Sequence, residues 1–135
     1  MGAIERKIAV KHKQAWAKRI NNDDATEEIA GLYHFLGYGF NEFADYIQAL
    51  KWYRKALAIR EEILGKEHPS TATTYNNIAA IYKNQGKYED ALVWYRKDLV
   101  ISENVFGKDY PNTAVTYNNI AGVYRDQGKY ENALE

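Results

Sequence analysis

Between Pro69 and Phe106 the apolar positions keep a helical beat that is interrupted once. Tyr75, Ile78, Ala79 and Tyr82 recur at spacings of three and four and make one face of a helix. Pro69 suits the first turn, where its missing N–H is not needed, and Ser70 beside it is the expected cap. Gly86 is expected to stop this helix, because glycine takes the left-handed conformation without steric cost. A second helix is predicted from near Tyr88, with Glu89 and Asp90 at its electropositive end. Its apolar stripe is Ala91, Leu92, Tyr95, Leu99 and Phe106, with Val100 at the margin. Gly107 ends it and Pro111 opens the next unit. The small Ala79 and Ala91 are expected where the two helices cross closely. No strand-like alternation competes with this pattern.

The pattern then repeats. "TYNNIAAIYKNQGKYEDAL" from Thr74 returns as "TYNNIAGVYRDQGKYENAL" from Thr116, 42 positions later. The same offset of 42 joins Pro69 to Pro111 and, backward, Trp94 to Trp52, Tyr95 to Tyr53, Leu99 to Leu57 and Gly107 to Gly65. A fixed period of this size signals stacked units, none of which can bury its apolar face alone. The expected fold is all-α, a right-handed α-solenoid of helix–turn–helix repeats. Its expected divisions are a basic amphipathic capping helix over 1–24, a degenerate repeat over 25–67, a second over 68–109, and a third over 110–135 that breaks off in its second helix.

The units are unequal. Tyr33, Leu36, Gly37 and Phe40 stand in the first where Tyr75, Ile78, Ala79 and Tyr82 stand in the second. Gly37 and Gly39 are expected to weaken that helix by about 1 kcal/mol each relative to alanine. Ala44 occupies the place of the helix-stopping Gly86 and Gly128. The turn there is expected to be built differently, with Asp45 capping the next helix and Gln48 completing a capping box. Ala133 and Leu134 begin a stripe whose mates do not follow. A longer array, or a second copy of the chain over the open face, is the expectation.

The motif Tyr-x-x-Ile-Ala-x-x-Tyr followed by Gln-Gly-Lys-Tyr-x-x-Ala-Leu resembles the tetratricopeptide repeat. That unit is usually about 34 residues; the longer period here adds about two helical turns. The surplus falls in the second helix and its exit, "LVISENVFGKDYPNTA". This long form is similar to the repeats of kinesin light chains and related bacterial proteins, over roughly residues 27–135. The resemblance implies that the first helices line a concave wall and that an extended peptide lies along it.

With the core-facing positions assigned, the opposite face of the first helices contains Thr73, Asn76, Ala80, Lys83 and Asn84, and their counterparts Val115, Asn118, Gly122, Arg125 and Asp126. The first unit adds Gly31, His34, Tyr38, Asn41 and Glu42. Three columns result: His34–Asn76–Asn118, Tyr38–Ala80–Gly122 and Asn41–Lys83–Arg125. An asparagine amide donates and accepts, so it can pair with any peptide backbone. Small Ala80 and Gly122 leave room for approach, and Lys83 and Arg125 favour acidic residues. The resemblance puts the peptide-binding role on Asn76 and Asn118; Asn77 and Asn119 lie further round and are expected to support packing. Chaperone-binding members clamp a terminal carboxylate with asparagine where Ala80 and Gly122 stand, so no such clamp is expected.

Composition narrows the chemistry further. Formal charge is zero, yet residues 1–20 hold six Lys or Arg against one acid. In "AIERKIAVKHKQAWAKRI", Ile4, Ile8, Ala15, Trp16 and Ile20 share one side, which reads as a helix capping the first repeat rather than a surface for nucleic acid or membrane. With no cysteine, disulfides, thiolate metal sites and Cys nucleophiles are excluded. His12, His34 and His68 lack ligand-spaced partners, and His68 before Pro69 is expected to be structural. Glu61 and Glu62 after Arg60 read as a solvated face. "GLYHFLGYGF" is no phosphate loop, since no strand precedes it and no Lys-Ser/Thr follows. No apolar run approaches the ~20 residues of a membrane span. The expectation is a cytoplasmic, non-enzymatic scaffold without cofactor or metal, whose partner is a protein or an extended, acidic peptide. Self-association into a homodimer, and service as the sensor arm of a larger regulator, are the alternatives.

Overall fold

The computed structural model describes residues 24–131. The described residues form five helices: α1 (Asp24–Glu42), α2 (Tyr46–Ile63), α3 (Pro69–Asn84), α4 (Tyr88–Phe106) and α5 (Pro111–Glu131). Each packs on the next in chain order, so the hairpin α1–α2 lies against α3–α4, and α5 lies against α4. The fold is the all-α solenoid that the period predicts. The expected N-terminal capping helix, and Ala133 and Leu134, lie outside the described residues.

The core follows the helical stripes. Tyr75, Ile78 and Ile81 of α3 are buried with Ala49, Tyr53 and Leu57 of α2 and Ile101 of α4. A second cluster joins Ala79 to Ala91, Leu92 and Tyr95 of α4 and Val123 of α5. Ala79 and Ala91 are fully buried, as close crossing requires. Helix α3 is therefore shared by two clusters, and each fully buried Ile or Leu contributes about 1.5–3 kcal/mol. Trp and Lys side chains repeat along the stack: Lys55 lies over Trp52 and Tyr33, and Lys97 over Trp94 and Tyr75.

Several expectations are corrected. Val100 is 59% exposed, while its neighbour Ile101 is buried. The inward face of α4 near its end carries Asp98, Ile101 and Ser102, two of them polar, so an apolar count alone misjudges it. Ser70 is not the cap of α3. His68 is, with its Nδ1 accepting the Ser70 N–H at 3.0 Å. A residue before proline is held extended, and with Pro69 in the first turn the first N–H left to cap is that of Ser70.

The turn at Ala44 is not built differently. Ala44 itself takes φ +59°, beside +77° at Gly86. The Asp45 N–H reaches the Phe40 carbonyl at 2.9 Å as the Lys87 N–H reaches that of Tyr82 at 2.8 Å. The motif survives at a cost of about 1–2 kcal/mol for a left-handed alanine. Asp45 does cap α2, accepting the Gln48 N–H at 3.3 Å. Gly37 has a packing reason: a Cβ there would lie 2.7 Å from the Tyr53 ring. Gly128 does not stop its helix, because α5 continues to Glu131. At Gly86 the chain turns back so that α4 can pack on α3.

Candidate functional site

The first helices of successive units are tied to one another along their flank. His34 Nε2 of α1 and Asn77 Nδ2 of α3 are 2.7 Å apart, and Asn84 Nδ2 donates to Asn41 Oδ1 at 3.5 Å. Between α3 and α5 the Lys83 ammonium lies 3.9 Å from Asp126 Oδ2. The two hydrogen bonds each span 43 positions, one more than the sequence period, so neighbouring first helices are staggered by one residue. Asn77 thus takes the packing role expected of it.

The proposed columns meet different fates. His34 turns to Asn77 and packs edge-on against Tyr53 at 5.0 Å. Burial, and secondarily the charge of Arg60, push its pKa down to about 4, so His34 is neutral near pH 7. Asn76 is half-buried, and its amide donates to Asp98 Oδ2 at 3.0 Å. Asn118 is exposed. Tyr38 is 57% exposed, Ala80 is half-buried, and Thr73 is exposed with its hydroxyl donating to the Pro69 carbonyl. Lys83, Gly122 and Arg125 are brought together: a Cβ on the buried Gly122 would lie 3.4 Å from Lys83 Nζ and 3.5 Å from Arg125 Nη2. An alanine at 122 would meet both groups only in ordinary contact, so Lys83 reaches across from α3 to Gly122 and Arg125 of α5 without needing the glycine.

A cavity of about 300 Å³ opens beside this wall, where the start of α3, the later half of α4 and the start of α5 converge. Thr73 and Asn76 line one side, Asp98 and Ser102 the floor, and Val115 and Thr116 the other side. Asp98 is only 5% exposed. Ser102 Oγ donates to its Oδ1 at 3.0 Å, and Asn76 and Thr116 Oγ1 donate to its Oδ2 at 3.0 and 2.9 Å. Neutral donors hold this charge, and among the described residues no cation pairs with it. Asp98 is not among the expected site residues. The available signal was its position: Ala91, Tyr95, Asp98 and Ser102 share one face at three- and four-residue spacing.

At the α2–α3 junction the equivalent space is filled. Arg60 stands 42 positions before Ser102, and Ala56 the same distance before Asp98. The Arg60 side chain is 11% exposed, and its Nε lies 3.4 Å from Glu27 Oε1. Its Nη1 donates to Thr74 Oγ1 at 2.9 Å and to the Ser70 carbonyl at 3.3 Å. Nε and Glu27 Oε2 are buried without a hydrogen bond, so the contact to Glu27 is one of charge. Glu61 likewise departs from the solvated reading: its carboxylate accepts from the Tyr75 hydroxyl at 2.9 Å. Burial first, then the bond to Glu61 and its charge, push the Tyr75 hydroxyl up to about 12. The pair recurs as Tyr117–Glu103 at 3.0 Å, and Arg54–Tyr82 recurs as Arg96–Tyr124.

The tetratricopeptide repeat family model matches residues 28–97 and 73–135. Tetratricopeptide repeat protein 19, mitochondrial, of Mus musculus is 33% identical over 78 residues, covering 53% of this chain and 21% of that protein; the Rattus norvegicus protein matches equally. The chain thus spans about a fifth of the length of these curated relatives. Among solved structures, BtubC (BKLC) from P. vanneervenii superposes with a TM-score of 0.75 at 25% identity, over 93% of this chain and 50% of that one. A putative kinesin light chain of P. anserina with nearly identical repeats gives 0.65 at 17% identity, over 98% and 72%. Among the described residues no helix is long and apolar enough to cross a membrane.

Proposed function

The chain belongs to the tetratricopeptide repeat family, in its kinesin-light-chain form, and from that premise we propose a module that binds an extended peptide along the flank of α1, α3 and α5. Repeats of this family generally mediate protein–protein interaction, typically without catalysis. The observation that carries the proposal is the cavity of about 300 Å³ opening between α3 and α5 beside exposed Thr73 and Val115. In this reading the three repeats are 25–67, 68–109 and 110–135, and the free Asn118 amide pairs with peptide backbone. Lys83 and Arg125, drawn together over Gly122, favour acidic residues on the same segment.

A peptide array on the purified chain, followed by titration of its best binder, tests this. Asn118→Ala is a cleaner probe than Asn76→Ala, which would also strip a donor from buried Asp98. The expected result is about fivefold weaker binding, equivalent to about 1 kcal/mol, with an unchanged circular dichroism spectrum. Unchanged affinity removes the groove assignment. A second reading is self-association through α5, on which Tyr117 and Tyr124 are 37% and 48% exposed. Light scattering over a concentration series separates the two, since a strict monomer excludes it.

A further inference from the structure

We propose that the cavity between α3, α4 and α5 is a socket for one arginine side chain of the bound partner. This rests on the groove reading and names what the partner must present. Asp98 is 95% removed from solvent by its 5% exposure, yet only the neutral groups of Asn76, Ser102 and Thr116 meet it. A buried carboxylate is ordinarily matched by a cation. Oδ1 accepts a single bond, from Ser102, which leaves one of its two lone-pair directions free.

The molecule supplies its own precedent one repeat earlier. There the guanidinium of Arg60 occupies the equivalent junction and donates to Thr74 Oγ1 and the Ser70 carbonyl. Thr116 and Asn112, 42 positions on, offer the same hydroxyl and carbonyl around the cavity, but Ser102 replaces the arginine. What the first junction takes from its own chain, the second lacks, and the acids differ in place: the first pairs its arginine with Glu27, where the second has Pro69, while the second holds Asp98, where the first has Ala56. The volume of about 300 Å³ is at the lower limit for ligand pockets, so it suits one side chain. Ala72, Val115 and Phe106 give the methylene stem an apolar wall. Arginine fits better than lysine because its planar fork reaches a carboxylate and a neighbouring carbonyl together. A metal ion is a poorer occupant, since one carboxylate is the only charged donor in the lining.

The test titrates the full chain with N-acetyl-Gly-Gly-Arg-Gly-Gly-amide, and with the same peptide carrying citrulline, following the Asn76 and Asn112 side-chain amides by NMR. The arginine peptide is expected to shift these resonances, and the citrulline peptide to bind at least about tenfold more weakly. Ser102→Arg supplies the side chain from within, as Arg60 does. It is expected to abolish the arginine response while keeping the helical spectrum. Asp98→Asn is expected to weaken binding at least about tenfold, and Ser102→Arg answers the question should that variant fail to fold. Equal binding of citrulline, no response to arginine, or full binding by Ser102→Arg overturns the socket. An array-selected partner that loses affinity with Asn118→Ala but not with Ser102→Arg leaves the groove standing without the socket. The reverse pattern keeps the socket and removes the backbone contact.

Discussion

At the junction of α2 with α3 a guanidinium lies where the junction of α4 with α5 holds a cavity and a buried carboxylate. Much of the surrounding framework is shared. Tyr75–Glu61 matches Tyr117–Glu103, Arg54–Tyr82 matches Arg96–Tyr124, and each junction carries a buried threonine, Thr74 or Thr116. The first junction is closed from within by Arg60, whereas the second is left open. Repetition thus preserves what stacks one unit on the next, and the places where the period fails are those where the junctions differ chemically.

The comparison breaks most clearly at Arg60. Arg60→Ala removes the donor to Thr74 and leaves Glu27 partly buried beside a void, and is expected to lower stability by about 3 kcal/mol. Ser102→Ala, at the matching place, is expected to cost about 1 kcal/mol. Urea unfolding of both variants measures the difference; equal losses would mean that the two junctions are closed alike.

His34 adds a pH dependence that belongs to the first junction alone, where Asn76 is its counterpart. Its folded pKa of about 4 lies below the ordinary 6.5, so the unfolded chain takes up this proton first. Stability from this group is complete above about pH 6.5 and is lost as pH falls toward 4, with no further loss below. After allowance for solvent screening the loss is about 2 kcal/mol. His34→Asn is expected to flatten that part of the pH–stability curve, and an unchanged slope would assign it to other groups.

The smallest effect is at the turns. Ala44→Gly relieves a left-handed alanine and is expected to raise stability by about 0.5–1 kcal/mol, less the extra freedom glycine brings to the unfolded chain. Gly86→Ala is expected to act in the opposite direction by a similar amount. Thermal denaturation of the pair decides whether the two turns share one backbone conformation.

Much of this was legible. The stripe Tyr75, Ile78, Ala79, Tyr82, the stops at Gly86 and Gly107, and the start near Tyr88 are local signals that agree with the structure, because helix geometry maps spacing directly onto faces. The errors fall where a distant residue decides. Ala44 adopts the glycine conformation because stacking fixes the turn. Gly37 is small because Tyr53 lies against it. Asp98 and Arg60 look like surface charges in a helical stretch, and only the neighbouring unit buries them.

By itself the chain's order of residues determined the helices, their pairing and the stacked architecture, because periodic apolar faces admit few other burials. The tertiary structure alone decided the stagger of the first helices, the partners of Asn76 and His34, and the unlike junctions at Arg60 and Asp98. Burial of a charge depends on what the adjacent repeat places against it, and no spacing within one helix records that.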